Sequence, residues 1–93
     1  MMPQRRWVEY VGSLTNNTFT LAANPSRRAV IISNNSDAEM TYRVGGEDAS
    51  ADAGVVLEAA TAIALDGDLL PEGEISLFCA GTSKAYTVYE VVG

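Results

Sequence analysis

The chain is 93 residues long, 47% hydrophobic and 19% charged, with no histidine, one cysteine and a net charge of −6. That length makes one domain, and that balance argues for a folded chain over a disordered one. Without histidine, Ser-His-Asp and Cys-His catalysis and histidine metal sites are excluded, and the lone Cys79 excludes an internal disulfide.

The N-terminal segment MMPQRRWVEYV carries charge but lacks the apolar stretch of a secretory leader. Residues 1–11 read as an extended N-terminal arm or as a first strand over Trp7–Val11, ahead of a domain at 12–93. After Asn16-Asn17 the pattern predicts strands over Thr18–Ala22 and, past the Asn24-Pro25-Ser26 turn, Arg28–Ser33. The run Ala29-Val30-Ile31-Ile32 is stiff and strand-forming. Asn34-Asn35-Ser36 is turn chemistry, and Met40, Tyr42 and Val44 alternate with Thr41 and Arg43 along a strand at Glu39–Val44.

Residues 47–53, EDASADA, read as a flexible acidic loop. Strands follow at Gly54–Glu58, Thr61–Asp66, Glu74–Ala80 and Lys84–Val92, with turns at Asp66-Gly67, Pro71-Glu72-Gly73 and Gly81-Thr82-Ser83. Eight short strands about ten residues apart indicate an all-β fold: a single small β-sandwich, jelly-roll-like, with an extended N-terminal arm. The strand at Glu74–Ala80 is apolar on both faces, and the last strand nearly so. Each therefore lies centrally or turns its outer face to another subunit.

Charge is unevenly spread. Residues 1–43 hold five arginines against three acids, net +2, whereas residues 44–93 hold Lys84 against nine acids, net −8. The acidic total argues against a nucleic-acid partner, and no apolar run approaches the roughly 20 residues that span a bilayer. Cys79 reads as core. The acids around Asp66-Gly67-Asp68 and at Glu47, Asp48 and Asp52 match no calcium-loop spacing. No enzyme, metal or cofactor is expected. Four tyrosines and Trp7 leave a carbohydrate-binding or adhesive module as the alternative. The protein's product is expected to be its surface.

The order Asn24-Pro25-Ser26-Arg27-Arg28, Ala29-Val30-Ile31-Ile32, Ser33-Asn34-Asn35-Ser36, followed by Gly54-Val55-Val56-Leu57-Glu58, Leu70-Pro71-Glu72-Gly73-Glu74-Ile75 and Ala85–Glu90, resembles small virion proteins of tailed bacteriophages. The resemblance implies a structural part of the particle, such as a capsid decoration (cement) protein or a head-fibre base. It implies a homotrimer on the outer capsid surface, made in the host bacterial cytoplasm, with the major capsid protein as partner. Such a protein stabilises the head by bridging capsid subunits through many weak contacts. Arg5, Arg6 and Trp7 have the composition of an interface anchor. Arg27 and Arg28 are expected on opposite sides of their strand, at least one paired with Asp66, Asp68 or Glu90 in its own or an adjacent subunit.

Overall fold

A computed structural model describes residues 5–93. Its strands are β1 (Arg6–Leu14), β2 (Asn17–Leu21), β3 (Arg27–Asn34), β4 (Met40–Val44), β5 (Val55–Leu57), β6 (Ala62–Asp66), β7 (Ile75–Cys79) and β8 (Lys84–Val92). A 3-10 turn, Gly67–Leu69, follows β6. Two four-stranded antiparallel sheets result, ordered β1-β8-β3-β6 (sheet A) and β2-β7-β4-β5 (sheet B).

The pairing has a simple logic. The first strand pairs with the eighth, the second with the seventh, the third with the sixth and the fourth with the fifth. The chain is thus one long hairpin rolled into two layers, the eight-strand jelly roll. Period-two alternation turns Val30, Ile32, Tyr86 and Val88 of sheet A onto Met40, Tyr42, Leu77 and Cys79 of sheet B. Fully burying each such aliphatic side chain contributes about 1.5–3 kcal/mol.

Each end of the sandwich is closed by a buried polar side chain. At the end where β1 and β3 begin and β6 and β8 finish, Arg27 fills that position. At the opposite end it is Asn34, whose Nδ2 donates to the carbonyls of Ala38 (2.7 Å), Leu57 (3.0 Å) and Glu58 (3.2 Å). Its Oδ1 accepts from Ser36 N and Oγ. Among the described residues, no buried side-chain polar atom lacks a partner.

Three sequence expectations meet structural detail here. The segment Arg6–Val11 is a strand, paired with β8 throughout, so it is not a free arm; Met1–Gln4 lie outside the described residues. The strand also runs on through Gly12 to Leu14. Gly12 faces Tyr86 across the ladder, and a Cβ there would come within 2.8 Å of the Tyr86 hydroxyl. Finally, residues 47–53, within the 45–54 connection between β4 and β5, are no loose loop. Ala49 is buried and its N–H donates to Ser76 Oγ at 2.9 Å, while Thr41 Oγ1 donates to Ser50 O at 2.6 Å. The loop covers part of the outer face of β4 and β7, and β7 itself is central in its sheet, between β2 and β4.

Candidate functional site

The two arginines at the start of β3 have separate fates, and a β-bulge decides which is which. Across β8, Arg27 pairs with Val92 and Ala29 with Val91, so Arg28 is an extra residue in the ladder. Without it, the alternation that turns Val30 and Ile32 inward would bring in Arg28; the bulge moves the phase by one and brings in Arg27. Arg27 Nε then donates to Glu90 Oε2 at 2.7 Å. One terminal nitrogen donates to Pro71 O (2.6 Å) and Gly73 O (2.9 Å), and the other to Ala22 O (2.7 Å). Of the three acids expected as partners, Glu90 of the same chain is the one used.

This corrects one expectation: Arg27 is buried and bound within the chain, so it is no contact residue on the surface. Arg28 points outward, its Nε donating to Gly93 O at 2.9 Å. Nearby, Arg5 and Arg6 are exposed and line an open cleft of about 610 Å³ with Asn24, Ser26, Val92 and Gly93. The structure thus gathers Arg5, Arg6 and Arg28 at one end and withdraws Arg27 beneath them.

Trp7 belongs to a larger surface. The outward positions of sheet A form three rows across its four strands: Trp7-Val91-Ala29-Asp66, then Glu9-Tyr89-Ile31-Ala64, then Val11-Thr87-Ser33-Ala62. Eight of these twelve are apolar or aromatic, unlike the polar face that a solvated sheet usually presents. Trp7 and Val11 are 60% and 67% exposed. Trp7 stands edge-on to Tyr89, with ring centroids 5.9 Å apart and planes at 70°. The Tyr89 hydroxyl donates to Glu9, whose carboxylate holds the phenol pKa above its usual value, by the hydrogen bond first and by its charge second. The sequence pointed to Trp7 and to the two-faced β8. It did not reveal the face as a whole, because strand order across a sheet is long-range information.

Among the described residues, no group of three or more Asp, Glu or Cys side chains converges as metal ligands. Cys79 is fully buried, and burial raises its thiol pKa. Among the described residues, no helix is long and apolar enough to cross a membrane. A second groove, of about 290 Å³, lies on the other sheet beside the 45–54 loop, lined by Thr41, Ala51 and Phe78 among others. No family model matches the chain, and no curated protein or solved structure is significantly similar to it.

Proposed function

We propose that the chain is a structural virion protein of a tailed bacteriophage, a capsid decoration (cement) protein that binds the outer capsid surface and bridges neighbouring capsid subunits as a homotrimer. The observation that carries this reading is the apolar outer face of sheet A, beside the exposed arginines Arg5, Arg6 and Arg28. Four strands about 4.8 Å apart and five residues of about 3.4 Å each make that face on the order of 300 Å². A stable pairwise interface takes about 800 Å² from each partner. One such face therefore supports only a weak contact. Weak contacts suffice where symmetry repeats them, because linked sites bind with avidity.

The resemblance of the Asn24–Glu90 segment to small phage virion proteins points the same way. Sugar binding fits the geometry less well, since rings set at 70° to each other do not form one flat stacking platform. The test is quantitative mass spectrometry of gradient-purified virions of the phage that encodes the chain. A decoration protein is present in numbers comparable to the major capsid protein. Absence from the particle, or a handful of copies, overturns the reading.

A further inference from the structure

The two open edges of sheet A carry opposite charge at the same end of the molecule. β1 is one edge strand and begins at Arg6, preceded by Arg5. β6 is the other and ends at Asp66, followed in the 3-10 turn by Asp68. All four are exposed, and among the described residues none of them is in an ion pair. The edges of sheet B, β2 and β5, read NTFTL and VVL and contain no charged residue.

Strand direction makes the two charged ends meet. β1 and β3 run one way and β8 and β6 the other, so a strand added beyond β6 in the same alternation runs as β1 does. Trp7 and Asp66 lie in the same row, through Val91 and Ala29. Continuing that row into a second copy sets its Trp7 across from Asp66, its Arg6 across from Gly67 and its Arg5 across from Asp68. We propose that β1 of one copy docks antiparallel along β6 of a second copy, extending sheet A, with Arg5 and Arg6 of the first against Asp66 and Asp68 of the second.

Two physical terms drive the contact. Open edges present unpaired N–H and C=O groups that another strand satisfies. The opposed charges fix register and direction, and suppress other pairings. Leu69, 78% exposed in the turn after β6, lies at the same end as the 60% exposed Trp7 of β1. The contact is heterologous, joining two different surfaces, and such contacts build a ring where the rotation between copies closes and a filament where it does not. It deepens the proposed function by specifying how the trimer forms, and it rests on that reading only for the number of copies.

The test is light scattering coupled to size exclusion, run on the full chain across concentration and salt. The wild type is expected to approach three times 9.9 kDa as concentration rises, and to dissociate as salt screens the charges. Arg5→Asp with Arg6→Asp, and separately Asp66→Arg with Asp68→Arg, are expected to leave monomers. The chain carrying all four changes recovers the wild-type mass. Hydrogen exchange is expected to slow in β1 and β6 on association, and to stay unchanged in β2 and β5. A monomer at up to about 1 mM, where even a weak contact populates, overturns the contact, as does wild-type mass in both swapped pairs. Association without incorporation into virions leaves the contact standing and removes the decoration reading. Incorporation of a chain that never associates does the reverse.

Discussion

Arg27 and Glu90, 63 residues apart in the chain, are joined at 2.7 Å with side chains 0% and 5% exposed. The guanidinium also holds the carbonyls of Ala22, Pro71 and Gly73, so one side chain binds β8 and two loops to the start of β3. Such a pair is poor evidence of net stabilisation, since its desolvation cost is large, but breaking it on one side is severe. Arg27→Ala strands the Glu90 carboxylate and three carbonyls. The expected loss is about 3–5 kcal/mol, out of the roughly 5–14 kcal/mol that a domain of this length holds. Arg28→Ala removes one exposed bond to Gly93 O, and its expected cost is under about 1 kcal/mol. Urea denaturation of both variants checks the contrast. Equal losses would contradict the division of roles between the two arginines.

The bulge makes a sharper prediction. Deleting either arginine gives the same chain, in which a single arginine precedes Ala29 and the extra residue is gone. The ladder then runs without a bulge, and ordinary alternation turns the remaining arginine inward to Glu90. The deletion variant is therefore expected to fold and to melt well above Arg27→Ala, although it has lost a residue from a strand. Thermal melts of the two side by side decide it. A deletion variant less stable than Arg27→Ala would mean that the bulge itself is required.

Asn34 closes the opposite end, with its amide donating to three carbonyls and its carbonyl taken by Ser36. Asn34→Ala takes the amide donor from all three carbonyls and the acceptor from Ser36 N. Ala38 O keeps the Ser36 hydroxyl and Glu58 O keeps Thr61, so the cost falls at Leu57 O and Ser36 N, at roughly 1–3 kcal/mol for each that water cannot reach. Asn34→Asp is expected to be worse, although it keeps the Ser36 contacts. It removes the donors and places a carboxylate against the oxygens of Ala38, Leu57 and Glu58. Urea midpoints ordered wild type, Asn34→Ala, Asn34→Asp are the expected result.

The difference between these ends and the middle of the sandwich explains what the sequence made legible. Alternation in Met40–Val44 and Ala62–Asp66 is local, so strands, faces and fold class could be read directly. The choice between Arg27 and Arg28 could not, because the bulge is a mismatch between β3 and β8 and has no signature in either strand alone. The 45–54 loop was hidden for a related reason. Its Asp and Glu residues read as solvent-exposed, which they are, yet Ala49 between them is buried against Ser76 of β7. The apolar outer face of sheet A needs residues from four strands that the linear order scatters from Trp7 to Val91.

Lys84 and Asp37 form the second ion pair, at 2.6 Å on the surface. The hydrogen bond to Lys84, and then its charge, lowers the Asp37 pKa, while Asp37 raises that of Lys84. A lowered carboxylate pKa gives stability that is present above the unfolded value near 3.9 and is lost as pH falls through the folded one. A raised ammonium pKa gives stability that is present below about 10.4 and is lost as pH rises through the folded value. The pair thus acts between about pH 4 and pH 10. Asp37→Asn is expected to lower Tm slightly at pH 7, by an amount that shrinks as pH falls below the unfolded value near 3.9. A deficit that persists in acid would assign the effect to packing instead.

The outer face of sheet A and the edge of sheet B supply a matched pair of surfaces for testing attachment. Val11 and Ala64 lie on the first, both exposed, at opposite sides of the sheet. Val55 and Val56 lie on β5, about half exposed. Lysine at exposed strand positions costs little stability, so Val11→Lys with Ala64→Lys, and Val55→Lys with Val56→Lys, are both expected to melt within a few degrees of wild type. Their binding to heads stripped of the protein should differ. Under the proposed decoration role, in which this face meets the capsid, desolvating a lysine there costs more than 1.4 kcal/mol, hence at least tenfold in affinity, and repetition around the shell multiplies the loss. Co-sedimentation with stripped heads is expected to fail for the first pair and to match wild type for the second. Full binding by the Val11→Lys, Ala64→Lys chain would show that the capsid meets some other part of the surface.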